Sequence, residues 1–194
     1  MIWLKIRDQH PCERALTVLQ SFSVLASMKV ALAASLLVSI DAAKELSLTW
    51  KDYGDSSTKA KITGFTPASI TEGKTNKLTG TGDLSEVVTG ATFDVTMTGA
   101  IGQLLHCSGD ASASKTCHLP LNVGSLTFDA LNFPIAAGQV PVSVDLSLSS
   151  LLPATLATTK TVAKATAQNG APLFCMEIDS APEMEVHSKK VTVV

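Results

Sequence analysis

Residues 140–152, VPVSVDLSLSSLL, decide the fold class of this chain. Their alternation sets Val142, Val144, Leu146 and Leu148 on one face and Ser143, Asp145 and Ser147 on the other. A period of two is the mark of a half-buried strand. One apolar face needs another to lie against, so the chain must supply further strands of the same kind.

It does. Phe93, Val95 and Met97 alternate with Asp94, Thr96 and Thr98; Leu126 and Phe128 share a face in 125–131; Phe174, Met176 and Ile178 oppose Glu177 and Asp179 in 173–179. Shorter signals sit at 46–50, 59–65 and 103–107. Residues 75–82 alternate too, but with little apolar content, and are expected at a sheet edge. Residues 158–168 have the alanine content of a helix, yet Thr158, Thr159, Thr161, Val162 and Thr166 are β-branched and disfavour one. The Asn169-Gly170 pair that follows is a hairpin signal, so strand, turn, strand is the better assignment. Residues 132–139 form a loop anchored by Phe133 and Ile135, and Leu151 and Leu152 stand at the end of the deciding stretch before Pro153. Eight or so short strands and no long helix predict an all-β fold, a two-sheet antiparallel immunoglobulin-like sandwich.

The N-terminal part is of another kind. From Met28 the sequence MKVALAASLLVSIDAA has a lysine, a short apolar core and small residues, the pattern of a secretory signal peptide at 28–42 with a cut after Ala42. Residues 1–27 are either an upstream extension of a chain that starts at Met28 or part of a long leader, with an amphipathic helix at 13–26 as their only pattern. The folding unit is then 43–181, followed by a mobile tail, 182–194, and the destination is the secreted or endolysosomal space. From Ala43 onward there are 11 Lys against 14 Asp and Glu, a net charge of −3, and the only arginines are Arg7 and Arg14. An acidic, arginine-free domain is a poor partner for nucleic acid.

Three of the four cysteines, Cys107, Cys117 and Cys175, lie in that unit. Cys107 and Cys117 flank a Gly/Ser/Asp-rich loop and are the expected disulfide in an oxidising compartment. With His106 and His118 they also offer a zinc set, but adjacent strand residues point to opposite faces, so no metal is expected. Catalytic chemistry is thin. From Ala43 onward the histidines are His106, His118 and His187 only, the last of them in the tail; there is no nucleophile elbow or phosphate loop, and Asp94, Asp129, Asp145 and Glu177 sit on polar strand faces. The expectation is a protein that is not an enzyme and has no cofactor. What remains is apolar lining: Phe93, Val95, Met97, Leu126, Phe128, Val142, Val144, Leu146, Leu148, Phe174, Met176 and Ile178. These residues are an ordinary core if the sheets touch, and a pocket if they are held apart.

Several features in order resemble the ML lipid-recognition domain family: Trp50 followed by DYG, the Cys107 to Cys117 loop followed by Leu119-Pro120, the run from Val140-Pro141-Val142, and the terminal LFCMEI at 173–178. The family includes the Niemann-Pick-type lysosomal sterol carrier, the ganglioside activator and phosphatidylglycerol/phosphatidylinositol transfer proteins. The resemblance covers 46 to about 181 and implies splayed sheets with a lipid cavity between them. It implies binding and transfer of a sterol, phospholipid or glycolipid by a monomer that touches membranes transiently. It adds Phe133, Val140, Pro141 and Leu151 to the lining, with Val140 and Pro141 matching an aromatic-proline pair at the cavity mouth. In the family a cysteine after the first strand pairs with the one in the last. Here Tyr53 stands at the first position, so Cys175 is expected as a buried free thiol, with Cys12 a substitute partner only if the leader is kept. The alternative is a closed immunoglobulin-like recognition module without a cavity.

Overall fold

The computed structural model describes residues 45–183. The expected leader at 28–42, the residues before it, Cys12 included, and the tail from 184 lie outside the described residues. The alternating stretches become strands: β1 (Glu45–Asp52), β2 (Ala60–Thr66), β3 (Ser69–Thr71), β4 (Thr75–Leu84), β5 (Ala91–Gly99), β6 (Gly102–Asp110), β7 (Lys115–His118), β8 (Gly124–Phe128), β9 (Gly138–Leu148), β10 (Thr159–Ala167) and β11 (Pro172–Pro182). A short helix α1 (Ala154–Ala157) and a 3-10 turn (Pro120–Asn122) complete the set.

The strands form two antiparallel sheets, β3-β1-β11-β10-β5-β6 and β2-β4-β9-β8-β7. This is the expected two-sheet sandwich of the immunoglobulin-like kind. The deciding stretch lies near the middle of the second sheet as β9. The strand stops at Leu148, because Ser149 donates its N–H to the Val123 carbonyl at 2.8 Å and the chain turns. Residues 158–168 are strand, as expected, and Gly170 makes the turn to β11 at a positive φ of 84°.

The polar run at 75–82 departs from expectation. It is β4, an interior strand between β2 and β9, not an edge. Edge assignment took low bulk for exposure, whereas two of the strand's inward positions, Gly80 and Gly82, are glycine between Leu78 and Leu84. The C-terminal strand also runs further than expected. Pro182 pairs with Leu46, and Glu183 donates its N–H to the Glu45 carbonyl at 3.0 Å.

Both long edges of the sandwich are closed. On one, the Cys107–Cys117 disulfide, with Cα atoms 6.0 Å apart, ties β6 of the first sheet to β7 of the second. On the other, Lys59 N–H donates to the Pro172 carbonyl at 3.0 Å and Ile62 N–H to the Asp52 carboxylate at 3.2 Å, and the chain crosses from β2 to β3. The sheets are held at their rims. Between them the buried residues form two clusters instead of one: a large one around Leu46, Leu126, Leu146 and Leu156, and a small one of Val88, Ala91, Ala165 and Leu173.

Two expectations about β11 are corrected. Cys175 is disulfide-bonded, not a free thiol, and its partner lies outside the described residues. Tyr53 is its backbone neighbour, donating an N–H to the Cys175 carbonyl at 2.8 Å. Glu177, expected on a solvated face, is buried; Lys160 Nζ lies 2.5 Å from its Oε1. That contact, together with Asp179, holds the Lys160 ammonium above the usual lysine range.

Candidate functional site

Between the sheets lies a cavity of about 260 Å³. By comparison, an engineered cavity of roughly 150 Å³ lined by Leu, Ile and Phe stays dry and takes up benzene. The first sheet contributes Leu46 and Leu48 from β1, Met176 and Ile178 from β11, Ala163 and Ala165 from β10, and Val95 and Met97 from β5. The second contributes Ile62 and Phe65, then Leu78, Gly80, Gly82 and Leu84, then Val140 through Leu148 at even positions, then Leu126 and Phe128.

Polar side chains in the lining are confined to Asp129, Ser143, Thr159, Thr161, Lys164 and Ser180. Several of these are already satisfied. Ser143 and Thr79 hydroxyls are 2.9 Å apart; Ser180 donates to the Ala157 carbonyl at 2.8 Å and lies 2.8 Å from the Thr159 hydroxyl. Asp129 is exposed, at the rim. The interior thus offers contact area in place of reactive groups, and each methylene transferred into it from water contributes about 0.8 kcal/mol.

The cavity exists because one strand withholds its side chains. On β4 the inward positions read Leu78, Gly80, Gly82, Leu84, with Gly80 beside Val142 of β9 and Phe65 of β2. A Cβ added at Gly80 would meet nothing within 4 Å. Across the gap, Ala163 and Ala165 are also small. Near the disulfide edge, Phe93 of β5 and Phe128 of β8 stack with centroids 4.4 Å apart and bridge the two sheets. Gly109 makes room for this pair, since a Cβ there would come within 3.2 Å of the Phe93 ring.

The sequence-predicted residues separate clearly. Phe93, Val95, Met97, Leu126, Phe128, Phe133, Val140, Val142, Val144, Leu146, Leu148, Phe174, Met176 and Ile178 all line the cavity. Pro141 does not. It is exposed, paired with Thr81, on the outward face that its odd position in the alternation dictates. Leu151 is also corrected: it is 80 % exposed in the turn after β9, while Leu152, 3 % exposed, takes the inward place. Sequence reasoning missed β4 and the walls from β1, β2 and α1. Leu78, Gly80, Gly82 and Leu84 had the right period but too little bulk to be noticed.

The loop at 129–137 closes the end near Val140. Val88 and Ile135 exchange backbone hydrogen bonds of 2.9 and 2.8 Å, and Leu131 N–H donates to the Ala111 carbonyl at 2.8 Å. The zinc alternative at His106, Cys107, Cys117 and His118 is overturned, because both sulfurs are spent in the disulfide. His106 instead lies 2.7 Å from Asp94, on the outer side of the first sheet. Among the described residues no group of three or more His, Cys, Asp or Glu is placed to hold a metal ion.

No protein-family model matches the chain, and no curated protein matches it. Among solved structures, the crystal structure of chicken MD-1 complexed with lipid IVa is similar, with a TM-score of 0.39 and 13 % identity over 72 % of this chain and 91 % of that one. At that level the likeness decides neither ligand nor activity. The cavity itself has to speak for both.

Proposed function

We propose that this protein is a lipid carrier of the lipid-recognition type. It holds an acyl chain or sterol between its two sheets, shields it from water and hands it on at a membrane. The observation that carries this is the cavity: about 260 Å³, walled by apolar side chains from both sheets, with Ser143, Thr159 and Ser180 hydrogen-bonded to protein groups and Asp129 exposed. A closed recognition module would fill that space with side chains, whereas here Gly80 leaves it open. The leader-like sequence at 28–42 supports delivery to the secreted or endolysosomal space, where the Cys107–Cys117 disulfide is stable.

The test is uptake of a fluorescent fatty acid and of a fluorescent sterol from solution. The expected result is saturable binding with a blue-shifted probe, displaced by the unlabelled lipid. Absence of uptake of both probes by folded protein would overturn the proposal. Which of the two binds more tightly names the ligand class.

A further inference from the structure

One hydroxyl in the cavity wall is left over. β10 turns Thr159, Thr161, Ala163 and Ala165 toward the space between the sheets, and all four line the cavity. Thr161 is 8 % exposed, so more than nine-tenths of it is buried. Its cross-strand neighbours are Met97 of β5 and Ile178 of β11, which line the cavity too and whose side chains carry no oxygen or nitrogen. The polar side chains next along that face, Thr159 and Ser180, are engaged with each other and with α1. Their hydroxyls lie 2.8 Å apart, and Ser180 donates to the Ala157 carbonyl at 2.8 Å. Among the described residues the Thr161 hydroxyl has no hydrogen-bond partner.

A buried hydroxyl without a partner is unfavourable, and valine would give the same strand the same shape without that penalty. Water does not resolve it, because an ordered water in a cavity needs several polar partners and this stretch of wall supplies one. The charged residues of the lining stand elsewhere, Lys164 further along β10 and Asp129 exposed past the end of β8. The partner that fits is an oxygen brought in by the ligand. We infer that Thr161 recognises an oxygen carried on the apolar body of the bound lipid, so that the cavity prefers a lipid with a hydroxyl on its chain or ring system to the same lipid without one. The inference rests on the lipid-carrier function proposed above. A carboxylate or phosphate head group is a poorer match, since one neutral hydroxyl between Met97 and Ile178 does not offset the desolvation of a full charge.

The test is displacement of a bound fluorescent fatty acid by stearic acid and by monohydroxystearic acids that differ only in where the hydroxyl sits. A second arm uses cholesterol and cholesterols hydroxylated at single positions of the side chain. In wild-type protein one positional isomer, in whichever arm supplies the oxygen, should bind about five-fold more tightly than its unsubstituted parent, the net gain of one hydrogen bond. Thr161→Val should lose that preference while binding the parent lipid as wild type does, and Thr161→Ser, which keeps the hydroxyl, should retain it. Should Thr161→Val fail to fold, Thr161→Ala takes its place. Positional isomers that all bind no better than the parent, or a preference that survives in Thr161→Val, would overturn the role of Thr161. Folded wild-type protein that binds neither parent lipid nor any hydroxylated one would instead overturn the carrier function.

Discussion

Strands β4 and β9 are hydrogen-bonded neighbours in the same sheet, yet they treat the space between the sheets in opposite ways. β9 fills its inward positions with Val140, Val142, Val144, Leu146 and Leu148, while β4, in register beside it, sets Gly82 next to Val140 and Gly80 next to Val142. One strand builds the wall and the other recesses it. A cavity in a sandwich therefore needs no special architecture. It needs bulk on one strand, none on its neighbour, and closed rims to resist collapse.

The comparison can be broken most severely on the filled side. Val144→Asp sets a carboxylate against an apolar wall and should cost about 3 kcal/mol of stability together with all lipid uptake. Urea unfolding followed by circular dichroism, alongside probe binding, measures both. Next come the rims: replacing Cys107 and Cys117 with serine reopens the edge between β6 and β7. It should lower stability by roughly 2 to 3 kcal/mol, the value of closing a loop of about ten residues. Probe uptake should weaken as the sheets lose their spacing.

The hollow side gives a sharper test, because it separates binding from folding. Gly80→Phe projects a ring into space where a Cβ meets nothing within 4 Å. Uptake should fall about ten-fold or more while the melting temperature stays within a few degrees, since filling a cavity without strain is near neutral or stabilising. A ring at Gly82 faces the Lys61 carbonyl, 3.4 Å from the Cβ position, and should cost stability as well. Equal uptake by Gly80→Phe and wild type would mean that the ligand lies elsewhere.

The smallest effect is expected at the turn that leads into β4. Glu72 is buried, neither carboxylate oxygen has a hydrogen-bond partner, and desolvation raises its pKa above the ordinary 4.5. A raised carboxylate pKa penalises the folded state wherever the group is ionised. That penalty is present above the folded-state pKa and is relieved as pH falls through it toward 4.5. Glu72→Gln removes the charge while keeping a polar group of the same shape, so it should raise stability at neutral pH and change nothing at pH 4. Asp110 acts in the opposite sense, its carboxyl held low by hydrogen bonds from Ser112. The difference between variant and wild type across pH is the quantity to measure.

Much of this fold was legible in the sequence, and the reason is physical. A strand with one face buried must alternate, and β5, β9 and β11 alternate with large side chains that stand out from their polar partners. The residues read from that alternation on these strands line the cavity. Pro141 was misplaced because a motif resemblance overrode the alternation that put it outside. Leu151 and Leu152 could not be ranked, since beyond the strand end the period no longer applies. β4 was misjudged for a deeper reason: glycine at an inward position looks the same in sequence as glycine at an exposed one. Only its register against β2 and β9 reveals that the missing side chains face the interior. Sequence pattern locates walls well and empty space poorly.

The central claim is that the space between β4 and β9 on one side and β10, β11 on the other holds a lipid. Native mass spectrometry of the purified wild-type protein tests it most directly. The account predicts a population carrying added mass that organic extraction releases as lipid, and that Gly80→Phe lacks. A single apo mass for folded wild-type protein, unchanged after incubation with fatty acid or sterol, would contradict it.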